Sequence, residues 1–377
     1  MSTFHITIPA HTVIFGPGSI AQLGDAVAQA GWEHILLCTT PHVRSRGHLA
    51  AIETALGQRL VATYEGVQPH VPDAQVAEAT ALAVEHRIDA VIGLGGGSPI
   101  GTAKAVSMAL QEKHPASADD TRAPVIAIPT TYAGSEMTPV FGVTYHEDGV
   151  ARKVTRSDAR IAPRLIIYDP LLTLDLSPRM TAGTGINAAA HCIEALYSIT
   201  RNPLSSATAY GGLRAIAHAL PRCYASGNDV DTRDEMLSGA FLAGTALAHV
   251  AMGLHHGICH VIGGTTGAAH GDANSVMLPH VMRFNLQAVA PQLAEAAAAM
   301  GVATLGQSVE AMAEAATRQV ADWVTEMRLP ARLRDLGIQE HQVPELARMA
   351  FASRTVHNNP RPISSVAEIE TLLRKAW

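Results

Sequence analysis

Charge is scarce in this chain, and none of it is arranged to meet a polyanion. Only 16% of its 377 residues are Asp, Glu, Lys or Arg, and the formal net charge is −6 with no basic stripe. That balance excludes nucleic acid as a partner. Long apolar runs are missing as well: no segment approaches about eighteen uninterrupted apolar residues, so no membrane span is expected. The start, Met1-Ser-Thr-Phe-His-Ile-Thr-Ile-Pro9, lacks a charged stretch ahead of an apolar one. No secretory signal is read there, and a cytoplasmic protein is expected. Cysteine is rare. Cys38, Cys192, Cys223 and Cys259 are scattered among apolar neighbours and read as buried thiols, not as a disulfide frame. Low-complexity linkers and repeats of fixed period are also absent.

What is present is ample core material. With 47% hydrophobic residues the chain is unsuited to disorder, and its length suggests two domains. The first part alternates strand and helix signals. Short strands and a turn are expected over Phe4 to Phe15, then a helix from Ser19 to Ala30. Apolar strands follow at His34–Cys38, Leu60–Tyr64, Ile88–Leu94, Val125–Ile128 and Leu165–Tyr168. Helices are expected over Pro72–Glu85 and from the glycine loop to about Glu112, and a hairpin joins Phe141–Tyr145 to Ala151–Thr155. This pattern predicts a parallel sheet with helices on both faces, ending near Asp169-Pro170. Beyond Leu171, Ala, Leu and Met recur at helical spacing. Helices are expected over Ser177–Ala225, Thr232–Gly253, Asp272–Met300, Gly306–Met327, Val343–Ala352 and Ser364–Ala376. The fold class is therefore an N-terminal α/β dinucleotide-binding domain, residues 1–170, plus an all-α C-terminal domain, residues 171–377.

Two stretches carry chemistry. In Leu94-Gly95-Gly96-Gly97-Ser98-Pro99, three glycines sit between a buried strand and a helix. Backbone N–H groups there can approach a phosphate, Ser98 can cap the helix, and Pro99 suits its first position. The spacing matches neither Gly-x-Gly-x-x-Gly nor a Walker loop, so it indicates only a phosphate or pyrophosphate, against the alternative of a plain tight turn. A second polar segment, Pro129-Thr130-Thr131-Tyr132-Ala133-Gly134-Ser135-Glu136-Met137-Thr138, follows another strand end, where open α/β sheets bind ligands. At the end of the His34–Cys38 strand no Asp or Glu stands ready for a ribose diol. Thr39, Thr40, His42 and Arg44 leave room for a 2′-phosphate, so both NADH and NADPH stay open.

The other stretch is His-rich. His255, His256, His260 and His270 fall within sixteen residues, and His256 and His260 share a helix face. Asn187 and His191 repeat the four-residue spacing. Such a set points to a divalent metal site or to a group of proton donors. Cys259 lies between two of these histidines as a candidate thiolate, with no Cys-x-x-Cys partner.

The Gly95-Gly96-Gly97-Ser98 loop, Pro129-Thr130-Thr131, Asp169-Pro170, the spaced histidines and Asn359-Pro360-Arg361-Pro362 together resemble the group III, iron-containing alcohol dehydrogenases, in order along nearly the whole chain. Tyr132–Pro139 and Asn187–His191 resemble its branch of reductases for a conjugated keto diacid of aromatic degradation. The resemblance implies an active site in the cleft between the two domains, a homodimer, NADH or NADPH as cofactor, and a small dicarboxylate keto-acid substrate. By motif position it assigns cofactor contacts to Thr39, Gly96, Gly97, Ser98, Thr130, Thr131, Ser135 and Lys153. The family's metal ligands fall on Asn187, His191, His256 and His270, and His260 matches a histidine near the reacting carbon. Asn187 replaces an Asp, and Gly101 stands where metal-dependent members carry Asp. An amide is a weak, neutral ligand. The expectation is thus a metal-independent reductase with no bound metal. Its pocket of His191, His255, His256, His260 and His270 is held protonated by the substrate's carboxylates, and His256 or His260 acts as the acid. Alternatives are a metal-dependent alcohol dehydrogenase in which Asn187 still coordinates, and a dehydroquinate-synthase-like lyase. Arg361 is either a carboxylate fork or a local structural cap.

Overall fold

The computed structural model describes residues 4–113, 123–147, 150–303 and 305–377, with the backbone alone of Ser45, Lys113, His146, Glu147, Val150, Ala151 and Lys153. Its contacts divide into two compact units. One is Ile8–Leu176; the other is Ser177–Trp377 together with the first residues of the chain.

In the first unit the apolar runs form strands β1 (Thr12–Phe15), β2 (Ile35–Cys38), β3 (Leu60–Tyr64), β4 (Ala90–Gly95) and β5 (Val125–Pro129). A hairpin of β6 (Val140–Glu147) and β7 (Val150–Ser157) comes next, then β8 (Leu165–Tyr168). The six-stranded sheet has the order β1-β8-β5-β4-β2-β3, and its neighbours pair in parallel. Its helices are α1 (Leu23–Ala30), α2 (Pro41–Ser45), α3 (His48–Leu56), α4 (Asp73–Glu85) and α5 (Gly97–Lys113). Both faces are covered because successive side chains point to opposite sides. Ile35 and Leu37 pack with Leu23, Val27, Leu49 and Ile52. Leu36 and Cys38 pack on the other side with Ala79, Ala83, Ala103 and Val106.

The sheet's topology places a ligand site. From β2 the chain moves outward to its neighbour β3; from β4 it moves the other way, to its neighbour β5. The order therefore reverses between β2 and β4, and the crevice beyond their C-terminal ends is where open α/β sheets bind ligands. Thr39 and Gly96 lie there.

The second unit contains helices α6 (Pro178–Tyr197), α7 (Pro203–Ala225), α8 (Val230–Ala248), α9 (Leu254–Thr266), α10 (His270–Asn285), α11 (Ala290–Ala299), α12 (Val309–Glu326), α13 (Val343–Ala352) and α14 (Val366–Ala376). Ile258, Ile262, Val276, Val281, Leu346 and Leu373 of α9, α10, α13 and α14 share one core. Among the described residues no helix is long and apolar enough to cross a membrane.

Several expected boundaries differ. The helix expected over Ser177–Ala225 is two helices. Asn202 and Ser205 form a reciprocal capping box and Pro203 opens α7, so the chain restarts there. The helix expected over Asp272–Met300 breaks after Asn285 and restarts with Pro291 in its first turn. Thr232–Gly253 becomes Val230–Ala248, and the opening strand shrinks to Thr12–Phe15. Helix α5 begins at Gly97, so Ser98 is its second residue and not its cap.

Candidate active site

Three segments of the helical unit bring the histidines together. On α6, Asn187 and His191 are one turn apart and both buried. Helix α9 carries His255, His256 and His260. It ends at Gly267 in a left-handed conformation, and α10 starts with His270. The His191 and His256 rings stack with centroids 4.7 Å apart, and His260 and His270 stack at 5.4 Å. His256 lies between the pairs, 6.1 Å from His260 and 5.9 Å from His270. The cluster grades outward: His191 and His256 are buried, His270 is half-buried and His260 is exposed. A glycine pair draws α10 against α6. A Cβ on Gly271 would lie 2.7 Å from the Gly183 carbonyl, so only glycine allows this backbone contact.

Glu194, one turn beyond His191, organises the cluster from below. Its carboxylate is buried and accepts the N–H groups of Gly253, His255 and His256 at 3.1–3.2 Å, anchoring the start of α9. Its second oxygen lies 2.5 Å from His256 Nδ1. With Nδ1–H facing Glu194, the neutral His256 ring turns a bare Nε2 the other way. That atom is buried with no hydrogen-bond partner, as is Nδ1 of His191. Sequence reasoning missed Glu194. It stands three residues beyond His191 in a stretch of α6 that is buried from Gly185 to Tyr197.

Burial pushes the pKa of His191 and His256 well below the imidazole range, and neighbouring histidines push the same way. The protein alone therefore favours neutral rings, and charge on them must come with an anionic ligand. Burial also lowers His255, whose Nε2 faces Asn274 Oδ1 at 2.6 Å. His255 is thus a packed, satisfied histidine rather than part of an open pocket. The Cys259 thiol is raised well above its ordinary value by burial and by Glu194, which removes the thiolate reading. Arg361 donates to the Phe284 carbonyl at 2.8 Å and stacks on its ring. It holds local structure, and the carboxylate-fork reading is set aside.

In the α/β unit the predicted cofactor residues gather at the strand ends. Thr39 Oγ1 donates to the Leu94 carbonyl at 2.9 Å, joining β2 to β4. Gly95, at φ 139°, turns the chain into α5, and Thr130 N–H returns to its carbonyl at 3.0 Å. A Cβ on Gly96 would meet Thr131 at 3.2 Å, whereas one on Gly97 would meet nothing within 4 Å. The open space over Gly97, at the start of a 17-residue helix, suits a phosphate. Ser135 faces inward through its carbonyl, which accepts from Lys104. The Lys153 side chain lies outside the described residues.

The iron-containing alcohol dehydrogenase family profile matches residues 10–170, and its Fe-containing C-terminal counterpart matches residues 181–377. The chain belongs to the iron-containing alcohol dehydrogenase family. It is similar to maleylacetate reductase of Pseudomonas knackmussii, 37% identical over 97% of this chain and 95% of the relative. Among solved structures it resembles maleylacetate reductase from Rhizobium sp. strain MTP-10005, with a TM-score of 0.85, 34% identity and coverage of 100% and 99%. It also resembles a 1,3-propanediol oxidoreductase, with a TM-score of 0.92, 30% identity and full coverage of both chains. As a member of this family the protein is an oxidoreductase.

The family's name implies iron, and the residues present test that. Among the described residues no three His, Cys, Asp or Glu side chains form a group that could hold a metal ion. The histidine rings stack in pairs, His191 on His256 and His260 on His270. Position 187 offers an amide, and the Glu194 carboxylate is committed to His256 and the α9 backbone. As arranged, this donor set does not fit a divalent ion, which needs converging nitrogens about 2.0–2.1 Å away.

Proposed function

We propose that this protein is an NAD(P)H-dependent reductase of maleylacetate, or a close substituted analogue, giving 3-oxoadipate or its counterpart without a metal. The observation that carries the reading is the buried Glu194–His256 pair, with Nε2 of His256 buried and without a hydrogen bond beside the His191 ring. The similarity to maleylacetate reductases supplies the substrate. The domain roles follow the same reading: the α/β unit binds the dinucleotide and the helical unit carries the acid.

In the α/β unit, the first N–H groups of α5 at Gly97 and Ser98 hold the pyrophosphate, and Thr130, Thr131 and Ser135 line the nicotinamide half. The bound nicotinamide supplies a hydride to the carbon β to the ketone of the conjugated diacid. Negative charge then moves to the ketone oxygen as an enolate. Imidazole N–H groups of His191 and His270 stabilise that oxygen, and the substrate carboxylates raise the local pKa so that His256 arrives protonated. Glu194 holds the imidazolium by its Nδ1–H. His256 gives its Nε2 proton to the carbon α to the ketone, completing the saturated bond. His260, exposed one turn further along α9, returns a proton from solvent. One hydride and one proton are consumed per turnover.

The test is NADH oxidation with freshly generated maleylacetate, with and without EDTA, beside the metal content of the purified protein. The proposal expects fast oxidation, indifferent to EDTA, in protein without stoichiometric metal. No oxidation of maleylacetate, with bound metal and turnover of simple alcohols, overturns it.

A further inference from the structure

Lys104 carries an amine into the core of the α/β unit, fully buried, and the reaction above makes no use of it. It leaves α5 two turns after the glycine loop. Its Nζ donates to the Ser135 carbonyl at 2.6 Å and the Val140 carbonyl at 3.0 Å. Those two carbonyls bracket the tight turn at Ser135–Met137 and the entry to β6. Within the turn Glu136 points inward. Its Oε1 accepts the Tyr168 hydroxyl of β8 at 2.9 Å, and its Oε2 is buried with no partner. Burial drives Lys104 down to about 7, opposed by attraction to Glu136, whose own pKa burial raises.

An apolar side chain of similar length would fill this space without the penalty of burying charge. What it lacks is the ability to gather two carbonyls from a neighbouring segment. The far end of that segment is already fixed: Thr130 N–H bonds the Gly95 carbonyl, and Thr131 packs on Gly96. Without Lys104 the segment loses both of these bonds to α5 and keeps the Glu136–Tyr168 bond to β8.

We propose that Lys104 is a positioning residue for the nicotinamide half of the cofactor. By clamping Ser135 and Val140 to α5, it fixes the Thr130–Ser135 segment at a set distance from the glycine loop. The inference rests on the dinucleotide reading above. It assigns Lys104 no contact with the pyrophosphate or adenosine, which the glycine loop and β2 end receive.

The experiment compares NADH with ADP-ribose, which lacks the nicotinamide, by calorimetric titration of the full-length protein, Lys104→Met and Lys104→Gln. Losing both clamp hydrogen bonds in Lys104→Met is expected to weaken NADH about tenfold while ADP-ribose stays within about twofold. Lys104→Gln, which keeps one donor, falls between. The KM for NADH rises in parallel and the KM for the keto diacid does not. Equal weakening of both ligands, or of neither, overturns the clamp. If Lys104→Met does not fold, the same comparison on Lys104→Gln decides, a selective loss of NADH supporting the clamp and its absence overturning it. Wild-type protein that binds neither ligand overturns the dinucleotide reading first, and the clamp with it.

Discussion

The Glu194 carboxylate meets His256 Nδ1 at 2.5 Å while also capping the N–H groups at the start of α9. One buried side chain therefore fixes both the position of the helix and the tautomer of the histidine on it. Glu194→Gln separates the two roles. Its amide oxygen can still accept the Gly253 and His255 N–H groups, but its NH₂ takes the place of the oxygen that meets both the His256 N–H and Nδ1, and forces the proton to Nε2. Turnover is expected to fall by up to about 10⁴-fold, as in a catalytic triad held in the wrong tautomer, with a much smaller loss of thermal stability from the one lost backbone bond. Nitrogen NMR of His256 reads the tautomer, and an unchanged kcat would falsify the role.

The contact of Gly271 with Gly183 sets where His270 sits. Gly271→Ala puts a methyl 2.7 Å from a backbone carbonyl that cannot swing aside. Overpacking of this kind costs about 1–3 kcal/mol. The expected result is a Tm lower by several degrees and a reduced kcat, because α10 carries His270 away from His256. Gly263→Ala is the control: its methyl would meet only the Ala268 carbonyl, at 3.5 Å, so Tm and rate should hold. Equal losses in the two variants would show that the α6–α10 crossing has no special role.

Much of this arrangement was legible in the chain before any coordinates. Apolar runs bounded by Gly and Pro located the sheet, because parallel strands are buried on both faces, and Leu60–Tyr64 and Leu165–Tyr168 came out with their expected bounds. Helical spacing already put His256 and His260 on one face of a helix; that His191 and His270, on other helices, join them was implied by the family resemblance. Glu194 and Lys104 were not. Each acts by burial and by bonds to distant backbone, Glu194 to Gly253 and Lys104 to Ser135, and no local pattern marks a charge that will be buried. The low pKa of His191 and His256 in the protein alone was not legible for a related reason: desolvation is a property of the packed unit.

Lys104 leaves a signature in stability against pH. Its folded pKa, about 7, lies below its ordinary 10.5. Between those values the unfolded chain holds a proton that the folded protein does not, so stability rises with pH across that window and is lost as pH falls toward 7. Glu136, raised in the fold, acts in the opposite sense from its ordinary pKa upward, and Tyr168 does so above pH 10. Urea unfolding at pH 7 and pH 9.5 should therefore show the wild type gaining on Lys104→Met as pH rises. A constant difference would mean that Lys104 stays charged in the fold.

Cofactor choice turns on the ends of β2 and β3. Thr39, tied to the Leu94 carbonyl, puts a neutral hydroxyl at the end of β2 and does not itself repel a 2′-phosphate. The nearby cation is already engaged: Arg44 grips Glu65 by Nε at 2.9 Å and Nη2 at 2.6 Å, and Glu53 lies 3.7 Å away. The pair is half exposed, and such pairs are worth about 0–1 kcal/mol, so a 2′-phosphate can compete for the guanidinium without abolishing NADH use. The expected outcome is use of both cofactors by the wild type. Glu65→Gln weakens the restraint on Arg44 and removes a like charge from the phosphate's surroundings. The ratio of kcat/KM for NADPH over NADH should then rise about fivefold, an effect that shrinks in high salt. Arg44→Ala should reverse it. A ratio unmoved by either substitution would place the adenosine ribose away from the β2 end, and with it would go the reading of Thr39 as a cofactor contact.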